Sequence, residues 1–197
     1  MKPLFQKEFP TGVFEVYSQE PPMKLIHVHQ THSDKIINYL GNSLSQCEAD
    51  GIMLDFQKYP NITLAIKTAD CLPILLLGDK ITMVHAGWKG LQNNILAHKN
   101  LQLENIHTAF IGPSIHRFEV TADFKKEFPA NPHFYQVKDQ LYFDLQKEAQ
   151  CQLSKYFPAA KVYNSNICTL ENPAYNSYRN NKTLMRNWNI FKIMRSP

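Results

Sequence analysis

Cys71 and His85 are the residues of this chain whose types and spacing most clearly suggest chemistry. Cys71 lies in the segment Thr68–Pro73 (TADCLP), and His85 opens the segment His85–Gly90 (HAGWKG). A thiolate and an imidazole held together form either a metal site or a nucleophile with its base. A half-buried cysteine beside a structural histidine is a third interpretation, and these two residues alone do not separate the three.

The sequence between them predicts a β-hairpin that brings the two side chains to one face of a sheet. Two apolar, β-prone runs flank the turn signal Gly78–Lys80. With a three-residue loop, Pro73 lies opposite His85, and Cys71 becomes the diagonal neighbour of His85, with Cβ atoms roughly 7–8 Å apart or less. A two-residue loop would place the pair on opposite faces, so the hypothesis needs the odd loop or a bulge near Pro73.

Three further histidines lie in the segment His27–His32 (HVHQTH), in a chain that holds 8 histidines in all. Side chains alternate along a strand, so His27 and His29 share one face, and His32 lies at or past the strand end. One cysteine and two histidines leave zinc an open fourth position, as in catalytic rather than structural zinc sites. A histidine of this segment would therefore complete a catalytic metal site.

Several short motifs resemble one bacterial family. The stronger ones are Gln30-x-His32, Glu48–Gly51, Thr68–Pro73, His85–Gly90 and Gly112–Ile115, and weaker ones are Phe118–Val120, Phe143–Leu145, Cys168-Thr169 and Ser177–Arg179. The family was described first as laccase-like polyphenol oxidoreductases and later as zinc-dependent purine nucleoside phosphorylases with adenosine deaminase activity. The resemblance spans about residues 25 to 190, and the TADC and HAGWKG blocks, in this order and at this separation, make it specific.

The resemblance implies a Zn²⁺ site whose ligands, and catalytic residues, are His32, Cys71 and His85. It implies phosphorolysis of adenosine and inosine and deamination of adenosine, so that purine nucleosides and phosphate are the small-molecule partners. In the deamination, zinc would lower the pKa of a bound water that attacks C6 of adenosine.

Zinc deaminases also use a separate carboxylate to carry the proton. The sequence offers four candidates for this role and does not choose among them. They are Glu48, Asp50, Asp70 and Glu119. Asp70, next to Cys71, has a further interpretation as the residue that orients a ligand histidine or caps a loop.

Phosphate is expected near the turn Gly87–Gly90, where free backbone N–H groups at a helix start favour anions. Gly87, Lys89 and Arg179 are therefore the expected substrate-binding residues. Family members carry an N-terminal Asn-x-Arg segment, but this chain has no arginine in its first 116 residues, and Asn180 replaces one of the usual paired arginines. We therefore expect phosphorolysis to be weaker or differently arranged than in longer relatives.

Two other enzyme classes stay open. A His₂Cys set is also the ligand group of a blue-copper centre, although a multicopper polyphenol oxidase would need about ten histidines and a reducing cytosol favours zinc over copper. The other class is a metal-free hydrolase or amidase with Cys71 as nucleophile and His85 as base. A zinc-stabilised binding module is disfavoured, because three ligands leave a coordination position open.

Composition limits the partners and the cellular location that are expected for the protein. The formal net charge of +4 comes from scattered basic residues, so we expect no nucleic-acid partner. The longest apolar stretch, Ile62–Leu77, contains Lys67 and Asp70, and the N-terminus lacks a signal-peptide layout, so no membrane association is expected. The four cysteines form no Cys-x-x-Cys pair, which predicts reduced thiols and a cytoplasmic location. The sequence carries no signal for the oligomeric state.

Short strands and a few helices must position these residues. Strands are expected at Gly12–Tyr17, Lys24–Val28, Gly51–Leu54, Thr63–Ile66, Ile74–Leu77, Ile81–His85, Thr108–Ile111, Lys161–Tyr163 and Asn189–Ile193. Helices are expected over Leu91–Lys99, over Ala122–Glu127 behind a Thr121 cap, and over Leu145–Tyr156 behind an Asp144 cap. The pattern predicts one domain, residues 1–197, with an α+β fold, a layered α/β sandwich with mixed β-sheets. The resemblance further implies a fold similar to that of toxin deamidases, which are cysteine hydrolases.

Overall fold

The computed structural model describes residues 1–194, which form an α+β fold with mixed β-sheets and few helices. The strands are β1 (Phe5–Phe9), β2 (Gly12–Tyr17), β3 (Ile36–Asn38), β4 (Gly51–Leu54), β5 (Thr63–Thr68), β6 (Leu72–Leu77), β7 (Ile81–Ala86), β8 (Thr108–Ile111), β9 (Arg117–Val120), β10 (Phe134–Val137), β11 (Gln140–Asp144), β12 (Lys161–Asn164) and β13 (Asn187–Ile193). The α-helices are α1 (Trp88–Gln92), α2 (Lys99–Gln102), α3 (Leu145–Tyr156) and α4 (Tyr178–Asn181), and Ile95–Ala97 and Ala122–Glu127 are 3₁₀ helices.

Three sheets organise the described residues. The largest has the order β12-β8-β6-β7-β4-β3, with antiparallel neighbours except at its two edges, where β12 and β3 pair in parallel. An antiparallel sheet, β1-β2-β13-β5, packs on one side of it through a shared apolar core. The small sheet β10-β11-β9 and helices α1, α2 and α3 pack on the other side. The six-stranded sheet is therefore the middle layer.

Strand β6 shows why this middle layer forms. All six of its residues are buried, as expected of a strand covered on both faces. Leu72 and Leu76 belong to the core on the helical side, whereas Leu75 and Leu77 belong to the core shared with the four-stranded sheet. Side chains alternate along a strand, so the odd-numbered residues face that second sheet. His85 has the same parity as Met83 of β7, which belongs to the same core.

The β6–β7 hairpin has the register that the sequence predicted. Leu77 pairs with Ile81 and Pro73 pairs with His85, so the connecting loop holds an odd number of residues. The three-residue loop prediction is confirmed. This register fixes the position of Cys71, just before β6, relative to His85 on β7.

The predicted helix over Leu91–Lys99 was wrong. The structure has α1, then a left-handed residue at Asn94 (φ 56°), then a 3₁₀ turn and α2. The apolar spacing was present, but the two consecutive asparagines before Ile95 break the helix because Asn is among the residues that tolerate the left-handed conformation.

Of the other predicted elements, the structure confirms some and corrects others. Helix α3 has the predicted bounds, and the Asp144 side chain accepts a hydrogen bond from the Lys147 N–H as its cap. Ala122–Glu127 is 3₁₀ rather than α, and the Thr121 side chain makes no capping bond. The predicted strand Lys24–Val28 is reduced to an isolated bridge at Ile26.

Five strands had not been predicted, namely β1, β3, β9, β10 and β11. They are short, at three to five residues, and most are edge or small-sheet strands with partly exposed residues. Such strands carry weak apolar alternation. Within the described residues, no helix has both the length and the apolar character needed to cross a membrane.

Candidate metal centre

The structure brings His32, Cys71 and His85 together. One ligand atom from each residue lies within 4.8 Å of the other two. The rings of His32 and His85 meet edge to face, with centroids 4.7 Å apart. His85 is buried, Cys71 is partly buried and His32 is exposed, so the cluster opens to solvent on the side of His32.

The three side chains come from different elements of the fold. His85 lies on β7, and Cys71 lies just before β6, in the connection from β5. His32 lies in a turn and has a left-handed backbone, with φ of 59°. Such a conformation is costly for a residue with a Cβ, so other contacts must hold it.

Asp50 supplies those contacts and links the turn to His85. Its carboxylate accepts hydrogen bonds from the backbone N–H groups of Thr31, His32 and Ser33 and from the Ser33 hydroxyl. It also binds Nδ1 of His85 at 2.7 Å. Asp50 directly precedes β4, which pairs with β7, and its backbone carbonyl accepts the His85 N–H at 2.7 Å. One buried carboxylate thus orients two of the three clustered side chains.

The ionisation of Asp50 suits this role. Burial raises the pKa of its carboxyl, but hydrogen bonds from His85 and Ser33 outweigh burial and hold the pKa at about 2. Because Asp50 engages Nδ1 of His85, Nε2 is the ring nitrogen left to act as a ligand. A carboxylate behind a ligand histidine is a common support for a metal site.

The electrostatics of the pair Cys71 and His85 favour a thiolate. Burial raises the pKa of the Cys71 thiol, but the charge of His85 and hydrogen bonds from His32 and His85 outweigh it and hold the pKa at about 6. Burial lowers the pKa of His85, but the Cys71 thiolate and Asp50 outweigh burial and raise it to about 9. The site therefore has a thiolate near neutral pH, which is the form that binds metals or attacks electrophiles.

The cluster fits a zinc ion chemically. Zn–S bonds near 2.3 Å and Zn–N bonds near 2.0–2.1 Å would set ligand atoms about 3.4–3.6 Å apart in a tetrahedral site. The three ligand atoms lie within 4.8 Å of one another and would have to move closer together to reach these separations. Three protein ligands would leave one coordination position open. Across residues 1–194 this is the single group of three or more His, Cys, Asp or Glu residues whose ligand atoms converge in this way.

Gly87 leaves room for the cluster. A Cβ added at Gly87 would lie 3.0 Å from Sγ of Cys71 and 3.2 Å from Cδ2 of His32. Both distances are tighter than ordinary van der Waals contact. Gly87 therefore packs directly against Cys71 and His32. The sequence had instead suggested that this turn approaches the substrate.

The Asp70 side chain makes hydrogen bonds to two distant segments of the chain rather than to a ligand histidine. Its φ of 90° breaks the regular alternation that the sequence had assumed. Its carboxylate accepts hydrogen bonds from the Thr169 hydroxyl at 2.9 Å and from the Arg179 N–H at 2.8 Å. Asp70 thus ties the Cys71 loop to two distant segments, whereas Asp50 is the carboxylate that orients His85.

The three clustered residues line a cavity of about 660 Å³. The lining residues are His29, Gln30, His32, Lys67, Thr68, Ala69, Asp70, Cys71, His85, Trp88, Tyr178, Arg179, Lys182 and Arg186. Arg179, which the sequence suggested as a substrate-binding residue, lines this cavity. Lys89 is not among the lining residues, and its Nζ lies 5.6 Å from the centroid of the Trp88 ring. Glu48 and Glu119 are exposed and do not line the cavity either.

Sequence reasoning missed three features of the cavity. The orienting role of Asp50 depends on the pairing of β4 with β7, which had not been predicted. The Gln30 side-chain amide forms two hydrogen bonds of 2.8 Å with the backbone of Lys67, so it joins the His32 segment to β5. Lys182 and Arg186 follow α4 and reach the same cavity. Lys182 and Arg186 could have been suspected from the sequence, because they are the next two basic residues after Arg179.

Known proteins are similar to this chain in sequence and in fold. Residues 14–192 match a family described as multi-copper polyphenol oxidoreductase laccase. A protein of Aquifex aeolicus named purine nucleoside phosphorylase is 34% identical over 165 residues, covering 80% of this chain and 77% of the relative. The purine nucleoside phosphorylase YfiH of Escherichia coli is 29% identical over 180 residues, covering 84% of this chain and 72% of the relative.

Two solved structures share the fold. A Neisseria meningitidis protein superposes with a TM-score of 0.75 at 22% identity and covers 98% of this chain and 100% of its own. YlmD of Geobacillus stearothermophilus gives a TM-score of 0.72 at 22% identity and covers 87% of this chain and 74% of its own. At this identity the likeness concerns the fold alone.

Proposed function

The chain belongs to the family described as multi-copper polyphenol oxidoreductase laccase, and from that premise we propose that it is a zinc-dependent purine nucleoside phosphorylase that also deaminates adenosine. One observation carries the proposal: the ligand atoms of His32, Cys71 and His85 converge within 4.8 Å in a cavity whose lining includes basic residues. Relatives named purine nucleoside phosphorylase support the substrate class.

We propose zinc rather than copper. Cysteine and histidine are ligands that zinc shares with blue copper. Multicopper chemistry needs several metal ions, yet the described residues contain this one converging group, and the whole sequence holds 8 histidines. A reducing compartment such as the cytoplasm keeps the free Cys71 thiol available and favours zinc at such a site.

The protein's own residues prepare the site for this chemistry. Asp50 fixes the tautomer and orientation of His85 through the 2.7 Å bond to Nδ1. Cys71, ionised near neutral pH, contributes a negative charge that offsets part of the charge of a divalent ion. A bound zinc ion would supply Lewis acidity at the open position between these ligands.

The two reactions use the same bound nucleoside. In phosphorolysis a phosphate oxygen bonds to C1′ as the C1′–N9 bond breaks, which gives a free purine and ribose 1-phosphate. In deamination water adds to C6 and ammonia leaves, which converts adenosine to inosine. Trp88 and Tyr178, both at the cavity, offer aromatic faces for the purine ring. The cationic lining stabilises the negative charge of phosphate.

A second function is favoured by one specific arrangement. Cys71, His85 and Asp50 form a chain in which a low-pKa thiol contacts a histidine, which contacts a buried carboxylate. This is the order of nucleophile, base and orienting group in cysteine hydrolases. A metal-free amidase would use Cys71 as the nucleophile, and the predicted likeness to toxin deamidases belongs to this alternative.

Metal content and reaction products separate these functions. The protein is purified without added metal, its zinc and copper are measured, and adenosine turnover is followed with and without phosphate. We expect about one zinc per chain, inosine in both conditions, and free purine only with phosphate. Copper with oxidation of a phenol, or amide hydrolysis that survives metal removal, would contradict the proposal. Cys71→Ala should lose the metal and the turnover, and Cys151→Ala, at an exposed cysteine on α3, is its control.

A further inference from the structure

Two links within the candidate metal centre already have a structural explanation. Asp50 binds both the His32 N–H and the His85 ring, so it fixes His32 relative to His85. The β6–β7 hairpin fixes Cys71 relative to His85. Neither link joins His32 directly to Cys71. We propose that Gln30 provides this third link, as a positioning residue that holds His32 near Cys71 before a metal binds; the inference deepens the proposed function and rests on its metal site.

The Gln30 side chain forms a pair of hydrogen bonds with the backbone of one residue, Lys67. Its Nε2 donates to the Lys67 carbonyl and its Oε1 accepts the Lys67 N–H, each at 2.8 Å. Gln30 lies two residues before His32, and Lys67 lies four residues before Cys71. Apart from contacts between the ligand side chains themselves, this pair is the one hydrogen-bonded connection, within the described part of the chain, between residues 29–33 and 67–71.

The position of β5 at the edge of its sheet explains why an amide side chain fits here. β5 is the last strand in the order β1-β2-β13-β5, so its outer backbone groups must find partners other than a strand of that sheet. The Ile26 backbone binds Thr63 and Ala65, each at 2.9 Å, and the Gln30 amide binds Lys67. A side-chain amide offers the same donor and acceptor types as a peptide group. Gln30 therefore continues, through its side chain, the pairing that the backbone begins at Ile26.

His32 is the ligand that depends most on such support. It is exposed and lies in a turn, whereas His85 is buried on β7 and Cys71 is partly buried. A turn that moves freely must be ordered when a metal binds, and this loss of conformational freedom weakens the affinity. With Gln30 before His32 and Asp50 bound to the His32 N–H, the turn is ordered in advance.

Contact with the substrate is the alternative role for Gln30, because its side chain also lines the cavity. The two roles predict different measurements. A positioning residue changes the metal affinity and the geometry of the ligands. A residue that only contacts the substrate changes the affinity for the nucleoside and leaves the metal affinity as it is.

The test compares substitutions of Gln30 with a matched control. Gln30→Leu removes both hydrogen bonds at similar side-chain volume, and Gln30→Ala serves if the leucine variant misfolds. Asn187→Leu is the control, because the Asn187 amide forms the same kind of pair with the backbone of Asn176, each bond at 2.8 Å. That segment carries none of the three ligands. Circular dichroism and thermal unfolding establish that each variant is folded.

Competition with a zinc-binding dye measures the affinity, and the absorption spectrum of the Co²⁺-loaded protein reports the ligand geometry. We expect Gln30→Leu to weaken zinc binding about tenfold and Asn187→Leu to leave it unchanged. The Co²⁺ form of Gln30→Leu should keep the charge-transfer band of the Cys71 sulfur and show altered d–d bands, because His32 is displaced. Wild-type zinc affinity in the Gln30 variants, an equal loss in Asn187→Leu, or weaker nucleoside binding at unchanged zinc affinity would overturn the inference.

A second measurement needs no metal and therefore separates this inference from the proposed function. His32→Cys provides a second thiol near Cys71, and dibromobimane joins two neighbouring thiols covalently, with mass spectrometry to locate the bridge. Adding Gln30→Leu should slow this cross-link severalfold, whereas adding Asn187→Leu should not. If the wild type binds no zinc but Gln30→Leu still slows the cross-link, the proposed function is contradicted and the role of Gln30 stands. An equal rate with and without Gln30→Leu would overturn that role.

Discussion

The candidate metal centre and the segment Tyr178–Arg186 line the same cavity but are held in different ways. The metal centre is fixed by a buried carboxylate, Asp50, which gathers five hydrogen bonds from the His32 turn and the His85 ring. The cationic segment is largely exposed and oriented by ring faces and backbone carbonyls. Chemistry needs precise placement of reacting groups, whereas a charged side chain also attracts an ionic ligand through its field at longer range.

This difference orders the expected effects of substitution. Substitutions at the metal centre should have large effects, because they remove or displace ligand atoms that several hydrogen bonds hold in place. Changes in the cationic segment remove one charge at a time and should be moderate. The following predictions run from the largest expected effect to the smallest.

Cys71→Ala should reduce metal content and nucleoside turnover by at least about 100-fold, since it removes a proposed ligand outright and supporting residues alone account for about 10- to 100-fold. The fold should persist, because Cys71 is partly exposed and lies outside the apolar clusters. Circular dichroism and zinc analysis check both points. Full turnover in the variant would refute the metal mechanism, and an unfolded variant would show that Cys71 is structural.

Asp50→Asn should weaken metal binding about 10- to 100-fold. The amide can accept at one atom only, and its NH₂ group would face backbone N–H groups that need an acceptor. Competition with a zinc-binding dye measures the affinity. Asp123→Asn, at an exposed carboxylate paired with Lys126, should leave it unchanged. If the two variants behave alike, Asp50 does not position the ligands.

Gly87→Ala should weaken metal binding about tenfold, because overpacking of this kind typically costs about 1–3 kcal/mol. The added Cβ would press on Sγ of Cys71 and on the His32 ring. Gly90→Ala is the comparison, since its Cβ would meet the Ser33 carbonyl, the Ile95 side chain and, at 3.8 Å, the His85 backbone carbonyl, but no ligand side chain. The same dye competition applies, and a Gly87→Ala protein with wild-type affinity would show that the turn can shift without disturbing the site.

The metal-stripped protein should show a low pH midpoint for alkylation of Cys71. Its pKa is lowered from 9.0 to about 6, so the thiolate is present above about pH 6 and is lost as the pH falls below it. The rate at pH 7 should exceed that of an ordinary thiol only a few-fold, because nucleophilicity falls with pKa. Iodoacetamide labelling read by mass spectrometry, with the urea-unfolded protein as control, gives the midpoint. Equal midpoints in both states would contradict the assigned contacts with His85.

The same two regions differ in how much of their structure could be predicted from the sequence. The odd hairpin loop, and with it the proximity of Cys71 and His85, followed from local turn chemistry and strand alternation. Asp50 could not be assigned, because its role arises from the pairing of β4 with β7 and from a left-handed turn at His32, both set by tertiary packing. The segment that carries Lys182 and Arg186 is joined to Asp70 through the Arg179 N–H, a contact across more than 100 residues of chain that local sequence patterns do not reveal.

X-ray absorption at the zinc edge, on protein purified without added metal, tests the central claim most directly. The account predicts about one zinc per chain with one sulfur near 2.3 Å and two nitrogens near 2.0–2.1 Å, together with light-atom scattering from the open position. Cys71→Ala should lose most of the zinc signal, any zinc that it retains should show no sulfur, and Cys151→Ala should keep both the zinc and the sulfur. A first shell without sulfur, or a sulfur signal that survives Cys71→Ala, would contradict it.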